Sequence, residues 1–237
     1  KRAYRISNAN QAIAILHKAI QDAQTPPCGP VSVEIPIDIQ SANIPLSLVT
    51  APMKPTSVAT VDPAIVDALW AQLKQAKQPL LWLGGGAVSS ADAVNNLADA
   101  GITVISSTHA RGVLPDSHRG SLRAFHNSPS VEALIAQCDF TLIAGSRLRS
   151  NETRSWTLAL PSPRVQVDID PAAASRNYLM DNTLIADCSA LLSALADNVQ
   201  GREWGNAQWD ALVQQAVEQA GQGLRDQCGP YARLNYA

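Results

Sequence analysis

Residue types that can bind phosphate and ribose recur at the ends of short apolar stretches in this sequence. These candidate binding residues are Gly84, Gly85, Gly86, Ser107, Thr108, Gly145, Arg147, Asp168 and Asp170. Glycines let a phosphate or an adenosine approach the backbone, and a helix that starts after them would add free N–H groups. An arginine offers a forked donor to phosphate, and an aspartate accepts from ribose hydroxyls. Together these residue types predict a nucleotide-binding site.

The glycine run at 84–86 fits the dinucleotide fingerprint G-x-G-x-x-G only in part. The third glycine would fall at position 89, which is Ser89, and the acid expected about 20 residues further on is replaced by Ser-Ser-Thr at 106–108. An ordinary NAD dehydrogenase is therefore disfavoured. Two plainer explanations stay open. The glycines could form a tight turn that binds nothing, and Asp170 before Pro171 could cap a helix.

No arrangement of residues in the sequence indicates a catalytic centre. His109, His118 and His126 lie in loops, without a serine or cysteine at a nucleophile-elbow position. The P-loop and HExxH motifs are also missing from the sequence. We therefore assign no catalytic residue and no metal ligand. The four cysteines are far apart, which disfavours a disulfide framework or a zinc site and favours a reducing cytoplasm.

Short strands alternate with helices from Asp62 onward, and this alternation positions the candidate residues. The predicted strands are PLLWL before the glycines, 102–106, a short one at 120–125, DFTLIAG, PRVQVDID and NTLIAD. Nearly all-apolar strands indicate a parallel sheet covered by helices on both faces, and right-handed crossovers make it doubly wound and Rossmann-like. We predict an α/β fold with a six-stranded parallel sheet. In such sheets ligands bind beyond the carboxyl ends of the strands, where all nine candidates fall.

The first 61 residues do not belong to that sheet. A helix is predicted from Asn10 to Gln24, followed by the alternating segment GPVSVEIPIDIQ at 29–40, which is typical of a half-buried strand. Residues 41–61 are rich in proline, serine and threonine, and they predict an extended linker.

The composition limits the choice of partners. The chain has 237 residues and a formal net charge of −2, which gives no reason to expect nucleic acid or an anionic membrane as a partner. No apolar run approaches the roughly 20 residues that a membrane-spanning helix needs.

Several segments, in their order along the chain, resemble the central domain of thiamine-diphosphate-dependent enzymes of the acetolactate synthase and benzoylformate decarboxylase group. These segments are QPLLWLGGGA, ITVISSTHARGVLPDSHRGS, CDFTLIAGSRLR and RVQVDIDPAAASRNY. GPVSVEIPIDIQ is similar to the last strand of that family's pyrimidine-binding domain, and GPYARL resembles the start of its diphosphate-binding domain. The chain departs from the family at His118-Arg119, where His-Pro is usual.

The resemblance implies boundaries and a strand order. Residues 1–40 would be the C-terminal remnant of the pyrimidine-binding domain and residues 41–61 a linker. Residues 62–200 would be the central domain, with strand order 3-2-1-4-5-6. Residues 201–237 would hold a linker helix and the start of the diphosphate-binding domain.

The resemblance also implies a function. The parent enzyme would be a homo-oligomer, dimer or tetramer, that decarboxylates a 2-oxo acid and ligates the product, using thiamine diphosphate and Mg²⁺. The family segments that hold those cofactors are missing from these residues, so the fragment itself is expected to be inactive. The central domain would bind FAD, an ADP-containing nucleotide, or nothing. Two alternatives stay open: a structural or interaction domain with an empty crevice, and an NAD-dependent, sirtuin-like enzyme.

Overall fold

The computed structural model describes residues 1–49, 61–199, 201 and 203–228. The chain divides into two compact units, Lys1–Ala59 and Thr60–Ala237. Most of the predicted linker, residues 50–60, and the GPYARL segment lie outside the described residues.

The first unit pairs two short parallel strands beside a helix. Its elements are β1 (Arg2–Arg5), α1 (Ala12–Gln24), β2 (Val31–Glu34) and α2 (Ile37–Gln40). The strand predicted after Gly29 therefore has a partner, because Arg2 of β1 lies opposite Val31 of β2. Sequence reasoning missed β1, since Arg-Ala-Tyr-Arg shows almost no apolar alternation. The strand also ends earlier than predicted, and the chain turns into α2.

A buried carboxylate joins the helix of this unit to its first strand. Asp22 of α1 accepts from Lys18 Nζ at 2.8 Å, from the Tyr4 hydroxyl, and from Arg2 at 3.1 Å. The hydrogen bonds from Lys18 and Tyr4 and the nearby positive charges lower the pKa of Asp22 to about 2. The ionised carboxylate thus stabilises the contact between α1 and β1.

The second unit contains the predicted sheet. Its helices are α3 (Pro63–Leu73), α4 (Ala91–Asp99), α5 (Pro129–Ile135), α6 (Cys188–Asn198) and α7 (Ala207–Cys228). Its strands are β3 (Pro79–Leu83), β4 (Thr103–Ser106), β5 (Phe140–Ala144), β6 (Arg164–Asp168) and β7 (Asn182–Ile185). All neighbouring strands are parallel, in the order β4-β3-β5-β6-β7. The predicted doubly wound α/β fold is confirmed.

The short strand predicted at 120–125 is reduced to a single parallel bridge, so the described residues form a sheet of five strands instead of six. Ser121 bridges to Val104 of β4, and Leu122 N donates to Val104 O at 2.8 Å. This bridge lies on the β4 edge, where the predicted order would place a strand. Arg123 adopts a left-handed backbone conformation with φ 55°, which ends the extended run.

The two faces of the sheet bury separate apolar clusters. Along β3, Leu81 and Leu83 pack in the cluster with α3, α4 and α6, whereas Leu80 and Trp82 pack with α5 and α7. Alternate residues of one strand therefore serve opposite faces, as expected for a sheet covered on both sides. Within the described residues, no helix is both long and apolar enough to span a bilayer.

Candidate functional site

The strand order switches between β3 and β5, and the turns that follow these two strands touch through glycines. We call Gly84, Gly86 and Gly145 the glycine seam. Gly84 N donates to Ala144 O at 2.8 Å, and Gly86 N donates to Gly145 O at 3.1 Å. A Cβ on Gly84 would lie 2.2 Å from Gly145 O, and Gly145 itself has φ 62°. These glycines are required because two backbones pack directly against each other.

The backbone amides predicted to hold phosphate are largely engaged within the protein. All three seam amides donate within the protein, since Gly145 N also donates to Val167 O at 2.8 Å, and Ser107 N donates to Leu83 O at 2.8 Å. Thr108 N donates to Glu152 Oε1 at 3.1 Å. The α-helix predicted to follow the glycines starts only at Ala91, after a 3₁₀ turn at Gly85–Ala87. The groups that stay available at this edge are therefore side chains more than backbone N–H groups.

Two candidates beside the seam differ in exposure, and neither is explained by the contact between the two backbones. Gly85 is exposed, and a Cβ there would meet only the His109 side chain, at 3.4 Å. Ser107 is buried, and its hydroxyl has no hydrogen-bond partner among the described residues. A buried hydroxyl without a partner is rare in proteins and often marks a place where a water or ligand binds.

The acidic candidates lie at the end of β6, and one of them meets the candidate arginine. Asp168 Oδ1 accepts from Asp170 N at 2.9 Å. Asp170 Oδ1 accepts from Ala172 N at 3.0 Å and caps the short turn after it, in agreement with the capping interpretation. Its other oxygen accepts from Arg147 at 3.1 Å. The ends of β5 and β6 thus bring Arg147 and Asp170 together, and 47% of the Arg147 side chain stays exposed.

Sequence reasoning missed Glu152, a buried acidic residue that contacts Thr108. Glu152 is only 2% exposed and accepts from Thr108 N. His126 is buried near it and packs against Trp82, with ring centroids 6.1 Å apart. Burial lowers the pKa of His126, although the Glu152 charge and a hydrogen bond with the Ser106 backbone oppose this shift. No local pattern in the sequence marks Glu152, because its partner lies 44 residues away.

Comparison with known proteins identifies the second unit. The profile described as "Thiamine pyrophosphate enzyme, central domain" matches residues 66–195, more than half of the chain. The acetolactate synthase isozyme 1 large subunit of Escherichia coli (strain K12) is 27% identical over 218 residues, covering 90% of this chain and 38% of that protein. The acetolactate synthase large subunit of Corynebacterium glutamicum is 26% identical over 211 residues, covering 84% of this chain and 33% of that protein.

A shorter match has higher identity. The acetolactate synthase of Mycobacterium avium is 30% identical over 128 residues, which are 52% of this chain and 21% of that protein. The chain therefore spans well under half the length of these relatives. Nothing in the comparisons supports the sirtuin-like alternative. The chain belongs to the thiamine pyrophosphate enzymes and includes the central domain of an acetolactate synthase-like member of that family.

Proposed function

We propose that the parent protein is a cytoplasmic, homo-oligomeric enzyme, dimer or tetramer, that decarboxylates a 2-oxo acid and ligates the product to a second carbonyl. The names of the acetolactate synthase relatives support this proposal. Bound thiamine diphosphate supplies the electron sink in such reactions, and the protein orients the reactants.

We propose that the described residues do not hold the Mg²⁺ of the parent enzyme. No three His, Cys, Asp or Glu side chains gather among them as potential metal ligands. No catalytic step is therefore assigned to these residues. We expect purified protein with thiamine diphosphate, Mg²⁺ and pyruvate to release no CO₂ above the blank. CO₂ release above the blank would contradict this assignment.

Within this enzyme, we propose that the central domain binds an ADP-containing nucleotide or FAD at the edge formed by β3, β5 and β6. The adenosine end would lie across Gly84–Gly86 and Asp168–Asp170, with Arg147 near a phosphate. The single observation that supports this placement best is the contact between Arg147 and Asp170. It brings a hydrogen-bond donor for phosphate and an acidic group together at the ends of neighbouring strands. The unpartnered hydroxyl of Ser107 adds a group that a ligand hydroxyl could satisfy.

Calorimetry with FAD, ADP and coenzyme A tests this proposal. A charge-assisted contact to phosphate is worth about 1.5–3 kcal/mol, so Arg147→Ala should weaken binding roughly ten- to a hundredfold. The matched control is Arg111→Ala, which removes another exposed arginine, one paired with Asp116 at 3.7 Å. Equal binding by Arg147→Ala and wild type would refute the site.

The glycine seam favours a second candidate, a structural domain with an empty crevice. Its amides are used inside the protein, and its glycines are explained by backbone packing alone. Absence of binding by FAD, ADP and coenzyme A in the same calorimetry would support this candidate.

A further inference from the structure

Three arginines and an exposed tryptophan share one concave site beyond the carboxyl ends of β5 and β6. The cavity has a volume of about 310 Å³. We call it the arginine pocket, and its lining residues are Arg147, Arg149, Ser150, Trp156, Arg176 and Asn177. Only Arg147 belongs to the residues that the sequence marks as candidates.

One buried side chain fixes the spacing of the two loops that form this pocket. Gln166 of β6 is 3% exposed. Its Nε2 donates to Ser146 O at 3.1 Å and to Ala173 O at 3.2 Å, and its Oε1 accepts from Ser175 N at 2.8 Å. Ser146 precedes Arg147 and Ser175 precedes Arg176, so Gln166 holds these arginines on facing loops.

The tryptophan of the pocket is held by one hydrogen bond, and about half of it is exposed to solvent. Trp156 Nε1 donates to Leu148 O at 3.1 Å, while 51% of the residue is exposed. Asn177 Nδ2 holds the adjacent carbonyl of Arg147 at 2.5 Å. Among the five tryptophans, all in the described part of the chain, Trp156 is the only exposed one.

The backbone around the pocket is held in an unfavourable conformation. Among the described residues, six other than glycine have positive φ, and five of them lie in the loops that form the pocket. These five are Leu148, Arg154, Ser155, Trp156 and Ser175. Such conformations persist only where the surrounding structure imposes them, and they cluster at binding sites.

Two of the arginines have donors to spare. Within the described residues, no hydrogen bond or ion pair engages the Arg176 side chain, and Arg149 has only a 3.5 Å contact with His109 Nδ1. Guanidinium groups with free donors bind phosphate through paired hydrogen bonds. The pocket therefore has the chemistry to hold a phosphate next to the one proposed at Arg147.

We propose that Arg149 and Arg176 bind the outer phosphate of a nucleoside diphosphate, and that the arginine pocket makes the domain prefer diphosphates over monophosphates. This inference rests on the proposed nucleotide function, in which Arg147 meets the inner phosphate. Trp156 lines the same pocket, so its fluorescence reports whether the pocket is filled.

The experiment titrates ADP, AMP and inorganic pyrophosphate into the full chain, followed by calorimetry and tryptophan fluorescence. We expect ADP to bind about tenfold more tightly than AMP, a difference of about 1.4 kcal/mol. Arg176→Gln and Arg149→Gln should each remove most of that preference and leave AMP binding nearly unchanged. Arg111→Gln changes the net charge by the same amount and should alter the affinity for neither ADP nor AMP. Trp156→Phe should abolish the fluorescence response to pyrophosphate.

The outcomes separate this inference from the proposed function. If ADP binds but Arg176→Gln and Arg149→Gln keep the wild-type ratio of ADP to AMP affinity, the inference is overturned and the nucleotide proposal stands. If neither nucleotide binds, the pyrophosphate titration decides. A Trp156 response that Arg176→Gln removes would support the pocket as a phosphate site, and absence of a wild-type response would overturn it.

Discussion

The glycine seam and the arginine pocket are neighbours on the same edge of one sheet, yet they are built in opposite ways. The seam joins two backbones, and its amide donors are used within the protein. The pocket is made of side chains from two loops, and Arg149 and Arg176 keep donors available. The conspicuous glycine motif thus marks close packing, whereas the groups suited to recognise a ligand lie one strand further along.

Position in the sheet explains this difference. β3 and β5 are central, and all five residues of each are buried. The turns that follow these two strands therefore pack closely against each other. β6 is buried only at its three middle residues, and β7 has no buried residue. The loops near that side have room for long, charged side chains.

The most severe test of the seam is Gly84→Ala. The new Cβ would lie 2.2 Å from Gly145 O and 2.4 Å from Ser146 Cα, so two backbone segments must move. We expect a loss of about 4 kcal/mol or more in the free energy of unfolding, or failure to fold. Chemical denaturation measures this. Gly85→Ala is the matched control and should change stability little, because its Cβ meets only a side-chain atom at 3.4 Å. Similar stability of both variants would contradict the packing explanation.

Gln166→Leu tests whether the hydrogen bonds of Gln166 maintain the arginine pocket. Leucine leaves Ser146 O, Ala173 O and Ser175 N without the partners that Gln166 provides. We expect a loss of about 3 kcal/mol in the free energy of unfolding, since each unpaired buried group costs about 1–3 kcal/mol. The Trp156 response to pyrophosphate should also disappear.

Thr141→Val on β5 serves as the control for Gln166→Leu. Thr141 is fully buried and donates one hydrogen bond, to Pro161 O at 2.9 Å. The loss should be about 1 kcal/mol, with the pyrophosphate response retained. An unchanged response in Gln166→Leu would show that the loops hold their spacing without this glutamine.

Most of the sheet could be predicted because the residues of each strand and those directly after it mark the strand in the sequence. Apolar runs ending in glycine, serine or aspartate predicted five strands close to their observed positions. The strand predicted at 120–125 failed because its pairing depends on the backbone conformation of Arg123, which no local pattern reveals. The strand at Arg2–Arg5 was missed because it is stabilised by its pairing with Val31–Glu34 and not by its own apolar pattern.

The site was predictable only where residues directly follow strands. Arg147 and Asp170 follow neighbouring parallel strands, so sequence reasoning placed them at one edge, and the structure brings them into contact. Trp156 and Arg176 come from longer loops whose approach depends on Gln166. In the sequence, a glutamine within a strand reads as an ordinary polar residue, and nothing indicates that it holds two loops.

Acid should destabilise the buried region around Trp82 through His126. Burial lowers the pKa of His126 below its ordinary value of 6.5, so the unfolded chain binds a proton more readily than the folded protein. Stability should be full above about pH 6.5 and fall as the pH drops through the lowered pKa of the folded state, by at most about 1.4 kcal/mol per pH unit. Urea denaturation from about pH 8 to about pH 5 measures this. His126→Phe should flatten the dependence, and an unchanged slope would contradict the assignment.

The smallest expected effect comes from Ser107→Ala. This variant distinguishes a crevice that binds a nucleotide from an empty, structural one. The Ser107 hydroxyl is buried and has no partner among the described residues, so its removal should leave stability unchanged or raise it by up to about 1 kcal/mol. If a nucleotide hydroxyl satisfies Ser107, the same change should weaken ADP binding about two- to tenfold, the equivalent of one hydrogen bond. Thermal unfolding and calorimetry on the same preparation give both values. Higher stability with unchanged ADP affinity would exclude Ser107 from the site and leave recognition to the arginine side of the edge.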